Sequence, residues 1–323
     1  MEYAVFKMKF KGLLHIGVSS LEDCGISICA DTLFSALAVE TLKSGGQEAI
    51  DAFVDSVRNG DLVFSDAFPY IGGACFVRKP VFRKPGPARS VTDAESASGE
   101  KKKFKKLQYV PIDAVDAYFA GDFSPDDTLR KFSHCLGRSA VQTKAAVRRS
   151  GETLPYRVGV FGFAKDAGLY VMAGGKTEGI ALFEELMRGL ADCGIGGKRS
   201  AGMGRFELRR DELAGGMAKR LSVFSKGEES DASGLHVTLS PSLPRDDELD
   251  AAMEGAFFSL SRRGGFVYSE TYADAPQRKN DLYVFDAGSV FTRKFAGDVY
   301  DVSNRGAHPV YRYAKPLFLG VNP

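Results

Sequence analysis

The chain opens with an alternation of apolar and polar side chains. Over residues 3–10, Phe6, Met8 and Phe10 share one face, whereas Lys7 and Lys9 share the other. A period of two residues is typical of a β-strand that buries one face. The sequence therefore predicts that the chain begins with a strand whose inner face packs on a hydrophobic core.

A helical period follows in ADTLFSALAVETL, residues 30–42, where Leu33, Phe34 and Leu37 recur at intervals of three and four. This spacing places apolar side chains on one face of a helix. Similar patterns predict, in chain order, a strand at 61–71, a strand pair within 156–174, a helix at 178–193 and a strand at 205–210.

The order of these elements predicts an α+β fold in two domains. A β-α-β-β-α-β succession over residues 1–212, with an insertion at 78–110, describes an N-terminal domain of the ferredoxin-like type. Shorter strand patterns predict a smaller, more β-rich C-terminal domain over residues 217–323. A length of 323 residues accommodates both domains.

Composition excludes several classes of protein. Apolar residues make up 44% of the chain and charged residues 26%, which is typical of a globular protein, and the formal net charge is only +2. Five cysteines without a C-x-x-C pair favour reduced thiols in the cytoplasm and no metal site. Because no long apolar run is present, we expect neither export nor contact with a membrane.

Basic residues concentrate in the insertion. Residues 78–106 contain ten basic residues and three acids, a local charge of +7, and three prolines interrupt any periodic pattern. Long segments of this kind are usually functional rather than part of the core. The basic residues that we select here as candidate contacts are Arg78, Lys79, Arg83, Lys84, Lys101, Lys102 and Lys103.

A second basic segment, GIGGKRSAGMGRFEL at residues 194–208, is rich in glycine. It fails the Walker A pattern at two positions, and it follows a helix and precedes a strand, the reverse of a dinucleotide fingerprint. We therefore expect no nucleotide cofactor, and no other cofactor. Glycines with exposed N–H groups beside Lys and Arg suit a polyanion, although a glycine-rich turn with solvated charges is the alternative. The candidate contacts are Gly194, Gly196, Gly197, Lys198, Arg199, Ser200, Gly202 and Arg205.

Catalytic motifs are missing from the sequence. The four histidines have no metal-ligand or nucleophile spacing, and no paired-carboxylate motif is present. His15, at the end of the first strand, is either a general base for RNA cleavage or, more in keeping with its position, a structural or binding residue. In the C-terminal domain, Arg262, Arg263 and Tyr268 combine phosphate-binding and base-stacking side chains, although a turn before an ordinary strand explains them equally well. We assign no catalytic residue.

Several motifs together resemble a known family. They are, in order, GLLHIG, ADTLFSAL, the glycine-rich segment, GFVYSE, GSVF and HPVYRYAKPLFLGV, and they span nearly the entire chain. This set resembles the RAMP proteins of CRISPR effector complexes. Within that family it is most similar to the subunit of the type III-A Csm complex that caps the 5′ end of the guide RNA.

The resemblance implies tandem ferredoxin-like (RRM-like) domains and binding of the repeat-derived crRNA 5′ handle. The glycine-rich loop would cradle phosphates, and the insertion at 78–110 would match, by location and charge, a thumb-like hairpin that projects along the guide. It implies as partners a large polymerase-type subunit, a backbone RAMP subunit, and target RNA near the handle. It also implies a protein that is not an enzyme.

Two other functions stay open at this point. One is a RAMP endoribonuclease that processes the guide precursor, with His15 as its base. The other is a protein scaffold whose basic insertion docks an acidic partner.

Overall fold

The computed structural model describes residues 1–82, 94–147, 153–213, 215–222, 234–269 and 271–321. Its helices are α1 (Ala30–Arg58), α2 (Ala94–Lys106), α3 (Val115–Ala120), α4 (Asp126–His134), α5 (Thr177–Cys193), α6 (Gly215–Ser222) and α7 (Leu249–Met253). Helix α1 contains a kink at Gly46, whose φ of 68° is not helical.

The described residues of the first two thirds of the chain form nine strands: β1 (Glu2–Phe10), β2 (Leu62–Phe64), β3 (Phe68–Ile71), β4 (Ala74–Arg78), β5 (Tyr109–Pro111), β6 (Gly137–Val147), β7 (Thr153–Phe163), β8 (Ala167–Gly175) and β9 (Phe206–Asp211). The described C-terminal residues add β10 (Leu235–Thr238), β11 (Leu260–Arg263), β12 (Leu282–Phe285), β13 (Val290–Phe291), β14 (Asp298–Asp301), β15 (Tyr311–Ala314) and β16 (Phe318–Val321).

The central sheet has the order β5-β4-β3-β8-β1-β9, and β2 also pairs with β8. Strand β1 pairs antiparallel with β8 on one side and with β9 on the other. With α1 after β1 and α5 after β8, the elements follow the β-α-β-β-α-β succession that the sequence predicts. The α+β fold class is confirmed.

Both faces of this sheet are buried, each against a different part of the chain. On one face, Phe6 and Met8 of β1 pack with Phe34 of α1 and Phe183 of α5. On the other face, side chains of β1, β3 and β8 share a core with Val237, Leu239 and Leu319 of the C-terminal third. Strand β1 thus has buried apolar residues on both faces. Ala4 and Phe6 lie on one face, and Val5, between them in the sequence, lies on the other.

The described C-terminal residues are rich in strands, as predicted. They form a three-stranded sheet, β13-β10-β16, and two strand pairs, β11-β12 and β14-β15. A second ferredoxin-like unit would have its second helix between β13 and β16. The described residues there form the β14-β15 pair instead. The domain boundaries at residues 212 and 217 stay a prediction.

The strands differ from the sequence prediction at two places, and the first is residues 61–71, which form the two short strands β2 and β3 rather than one strand. Residues 156–174 do not form a pair around one turn, because β7 pairs with β6 in an eleven-residue register from Gly137↔Phe163 to Val147↔Thr153. Strand β8 pairs instead with β1, β2 and β3. The β6–β7 hairpin is therefore an element that the sequence analysis did not predict.

Candidate nucleic-acid interface

The glycine-rich loop, residues 194–204, connects α5 to β9 and folds closely on itself. Gly194, Gly196, Gly202 and Gly204 all have φ between 77° and 90°, a region that favours glycine. A Cβ on Gly204 would overlap the carbonyl oxygen of Ile195, and one on Gly196 would overlap that of His15. These glycines are required by backbone conformation and by close packing.

Most N–H groups of the loop are used inside the fold. Those of Gly194, Ile195, Gly197, Ala201, Gly202 and Gly204 donate to backbone carbonyls. The expectation that the glycines expose successive N–H groups is therefore wrong for Gly194, Gly197, Gly202 and Gly204. Among the described residues, no backbone carbonyl accepts the N–H groups of the basic centre, Lys198, Arg199 and Ser200, nor those of Gly196 and Met203.

His15 packs against the loop and holds it in position. Its side chain is buried, and its Nδ1 lies 2.6 Å from the carbonyl oxygen of Gly159 in β7. Because a carbonyl only accepts, Nδ1 carries the proton. The carbonyl of His15 accepts the N–H of Gly197 at 2.9 Å, and a Cβ on Gly197 would come 2.6 Å from the His15 ring. His15 thus joins the loop to the β6–β7 hairpin.

The hairpin supplies a wall beside the loop. Leu14 exchanges two backbone hydrogen bonds with Phe161, and Val158 and Val160 pack on Met203 of the loop. Lys144 and Tyr156 are register partners farther along the hairpin. The small and mixed residues of SAVQTKAAV give only a weak alternation, so the sequence pattern does not predict this element.

Two basic residues of the loop lie over tyrosine rings from different parts of the chain. The Lys198 Nζ is 4.6 Å from the ring centroid of Tyr156 and 3.3 Å from its hydroxyl. The Arg199 guanidinium is 5.6 Å from the ring of Tyr268, whose side chain is 75% exposed. Lys198, Arg199 and Tyr268, all selected from the sequence, are therefore brought together, whereas Tyr156 was not anticipated.

Ser200 and Arg205, the other polar candidates of this segment, are exposed. Ser200 lies in the middle of the 3-10 helix Arg199–Ala201 and Arg205 follows the next turn, while Gly194 and Gly204 are buried. Arg205 also holds the first strand in place, since its carbonyl accepts the N–H of Lys11 at 2.9 Å. Lys198 and Arg199 with two aromatic rings form a surface suited to a phosphate backbone and its bases.

Arg262 and Arg263, adjacent on β11, have different environments. The Arg262 side chain is largely exposed and lies 3.5 Å from Asp281. Arg263 instead binds the buried carboxylate of Asp31 at 2.6 and 2.8 Å, and Arg312 binds the same carboxylate at 2.6 Å. The charge of Arg263 is thus committed to an intramolecular network, and Arg262 is the one of the two that is open to a ligand.

Opposing effects act on the pKa of Asp31. Burial raises the pKa of this carboxyl, but the hydrogen bonds and charges of Arg263 and Arg312 outweigh burial and hold it below its ordinary value. Asp31 is the second residue of helix α1 and does not cap it. The N-cap of α1 is Cys29, and the N–H of Ala30 is bound instead by Asp66 Oδ1 at 2.7 Å.

The described part of the basic insertion is not a hairpin. Residues 94–106 form helix α2, whose Lys101, Lys102 and Lys103 are exposed, with Lys103 in an ion pair with Asp126 at 2.7 Å. Arg78 ends β4 and lies over the Tyr109 ring, while the Lys79 ammonium donates to the Phe104 carbonyl. Burial lowers the pKa of Lys79. Arg83 and Lys84 lie outside the described residues.

Metal-binding clusters and membrane-spanning helices are both absent from the part of the chain that the structure describes. Among those residues, no group of three or more His, Cys, Asp or Glu side chains is placed to hold a metal ion. None of the described helices has the length and apolar character needed to cross a membrane.

Comparison with known proteins supports the family that the sequence motifs indicate. Residues 231–321 match the family of the CRISPR Csm4 C-terminal domain. The chain is 39% identical over 308 residues to the CRISPR system Cms protein Csm4 of Mycobacterium tuberculosis, covering 95% of this chain and 94% of that protein. The chain belongs to the Csm4 family. The Csm4 protein of Streptococcus thermophilus is 32% identical over 320 residues, with 98% of each chain covered.

Solved structures share the Csm4 fold over the full length. A chain from the crystal structure of a Csm3–Csm4 subcomplex of the type III-A CRISPR-Cas interference complex matches with a TM-score of 0.66 at 17% identity, covering 100% of both chains. A chain from a Csm1–Csm4 cassette in complex with cA4 matches with a TM-score of 0.60 at 19% identity, covering 99% of this chain and 98% of the other. The resemblance stated from the motifs is confirmed.

Proposed function

We propose that this member of the Csm4 family binds the repeat-derived 5′ handle of a guide RNA within a cytoplasmic type III-A CRISPR effector complex. The observation that carries the proposal is the convergence of Lys198 and Arg199 with Tyr156 and Tyr268 on one surface. Cations beside aromatic rings, of which that of Tyr268 is exposed, match a single strand, whose phosphates need positive charge and whose bases stack on rings.

The proposed role is to hold RNA without cutting it. His15 is buried, its Nδ1 is bound to Gly159, and its ring packs against Gly197. This environment supports a role in positioning the loop, and it leaves the imidazole little access to a ribose hydroxyl. The rival function is an endoribonuclease, and incubation with repeat RNA in the absence of metal separates the two: a single defined cut would support the rival.

Protein partners follow by analogy with relatives. The relatives with this fold were solved with Csm3 and with Csm1. We propose that this chain likewise joins a large polymerase-type subunit to a backbone RAMP subunit, next to the point where target RNA meets the handle. Co-purification of the assembled complex tests this: RNA of uniform length accompanies it if the guide is the ligand, whereas a scaffold for an acidic protein carries none.

A double substitution of the basic loop residues tests RNA binding directly. Lys198→Ala with Arg199→Ala removes up to two cations that neutralise phosphates. We therefore expect weaker binding of a handle RNA and a log–log salt dependence that flattens by roughly 0.7 for each phosphate left without its cation. Filter binding at several salt concentrations gives both quantities.

The matched control removes one lysine and one arginine elsewhere. Lys176 and Arg188 are exposed residues at and within α5, paired with Asp61 and Glu184, and such pairs contribute little to stability. Lys176→Ala with Arg188→Ala should leave affinity and slope near the wild-type values. Equal effects of the two double variants would contradict binding at the loop.

A further inference from the structure

A cavity of about 200 Å³ lies between helix α1 and two C-terminal segments. Phe34, Ala38 and Leu42 line it from the helix, and residues 267–269 and 308–311 close it from the other side. Its volume is below the roughly 300–1,000 Å³ of pockets that take drug-sized ligands. The cavity therefore suits one planar ring system rather than a folded peptide segment.

The rim of this cavity is next to the glycine-rich loop. Tyr268 lines the cavity and, at the same time, carries the Arg199 guanidinium over its ring at 5.6 Å. An RNA whose phosphates contact Arg199 therefore passes the mouth of the cavity. The ring of Tyr268 is largely exposed, so it offers a stacking face at that point.

The polar side chains that line the cavity differ in whether their hydrogen-bonding atoms already have partners within the protein. Ser269 Oγ lies 2.8 Å from His308 Nε2, and His308 Nδ1 lies 2.9 Å from the carbonyl oxygen of Pro309. Since that carbonyl accepts, Nδ1 carries the proton in neutral His308 and Nε2 accepts from the serine. The hydrogen bonds of Ser269 and His308 are thus made within the cavity wall.

Lys279 is a charged group of the cavity wall that has no ion-pair partner among the described residues. Its side chain is half-buried, and among the described residues no carboxylate lies within ion-pair distance of its ammonium. Burial and the nearby charge of Arg312 lower the pKa of Lys279. A half-buried ammonium without a partner is a donor that a ligand carbonyl can satisfy.

We propose that the cavity holds one base of the guide RNA handle, stacked on Tyr268, with Lys279 donating to a carbonyl oxygen on the edge of the base. This inference rests on the proposed function, because it assumes that the loop holds the adjacent phosphates. Guanine and the pyrimidines carry a carbonyl oxygen, whereas adenine offers only ring nitrogens as acceptors, so we expect the cavity to favour a carbonyl-bearing base over adenine.

An abasic scan of the handle tests the proposal with the full-length chain. The probe is a synthetic RNA with the repeat-derived 5′ segment, together with a series in which each nucleotide in turn lacks its base. We expect one position at which base removal weakens binding roughly 5- to 150-fold, the effect of one base–aromatic stack. Tyr268→Ala should weaken binding of the intact RNA to a similar extent and show no further loss at that position.

Two more variants sharpen the outcome. Lys279→Met keeps the length of the side chain and removes the donor, so it should abolish the preference for a carbonyl-bearing base over adenine at the sensitive position. Tyr283→Ala is the control, because Tyr283 is 61% exposed on β12 and does not line the cavity. It should retain both the affinity and the single sensitive position.

Failure of this inference is distinguishable from failure of the proposed function. If RNA binding depends on Lys198 and Arg199 but no abasic position is coupled to Tyr268, the base pocket is overturned and the loop assignment stands. If the wild-type chain does not bind the RNA, or binds it independently of the loop, the proposed function fails and this inference fails with it.

Discussion

At the scale of single residues, the chemistry of this protein was predictable where it depends on residue type and local order. Lys198, Arg199 and Tyr268 were selected because basic and aromatic side chains suit RNA, and the structure brings them together. Arg263 was selected on the same ground, yet it binds Asp31, which lies 232 positions away in the sequence. Local sequence does not reveal a partner at that distance, so the two adjacent arginines were indistinguishable.

Asp66 provides a test at this scale. Burial raises the pKa of Asp66 to about 8, despite the N–H of Ala30 that its Oδ1 accepts. A folded-state pKa above the unfolded value means that the folded protein binds more protons between about pH 4 and pH 8. The stability that this group contributes is therefore fully present below pH 4 and is lost as the pH rises toward 8, by up to about 1.4 kcal/mol per pH unit.

Asp66→Asn keeps an oxygen for Ala30 and replaces the protonated carboxyl oxygen by an amide donor. We expect this variant to unfold at a urea concentration that varies less between pH 5 and pH 8 than in the wild type, and to be the more stable protein at pH 8. Parallel pH dependences of the two proteins would show that Asp66 is not protonated in the fold.

At the scale of elements, regular periodic patterns were predictive and weak ones were not. Strand β1 and helices α1 and α5 follow clear alternation or helical spacing. The β6–β7 hairpin does not, because its outer residues are small or polar and its exposed face has no apolar repeat. The glycine-rich loop was located correctly, but the use of its N–H groups depends on contacts with Leu13 and His15, which no loop sequence specifies.

The contact between hairpin and loop predicts a role for Tyr156. Its ring holds the Lys198 ammonium, an interaction of about 0.5–1 kcal/mol at an exposed site. Tyr156→Ala should weaken handle binding by about 2- to 5-fold, because Lys198 is no longer held toward the phosphates. Fluorescence anisotropy with labelled RNA measures the change. Tyr156→Phe retains the ring and should retain most of the affinity; equal losses in both variants would assign the effect to the hydroxyl.

At the scale of the whole molecule, the sequence predicted the α+β fold class but not how closely the N-terminal sheet packs on the C-terminal third. One face of the N-terminal sheet shares a core with β10 and β16 of the C-terminal third. The hydroxyl of Tyr313 in β15 donates to the backbone carbonyl of Phe64 in β2. The two aromatic rings stack with their centroids 4.6 Å apart. Such contacts depend on two surfaces of complementary shape, and the hydrophobic periodicity of a sequence does not show which surfaces fit each other.

The Asp31 network makes the same connection electrostatically. Asp31 lies in the first turn of α1, and Arg263 and Arg312 lie in β11 and β15, so one buried carboxylate joins α1 to two strands of the C-terminal third. Removing one partner of a buried ion pair leaves uncompensated charge in the interior, which costs about 3–5 kcal/mol. We therefore expect Asp31→Ala to lower the free energy of unfolding by about that amount, measured by urea denaturation.

The control for Asp31 comes from the neighbouring arginine on β11. Asp281 lies 3.5 Å from Arg262, which is largely exposed, and pairs of this kind contribute about 0–1 kcal/mol. Asp281→Ala should therefore change the unfolding free energy little. If the two variants were equally destabilised, the buried triad would contribute no more than a surface pair, and the two parts of the chain would be joined by their apolar contacts alone.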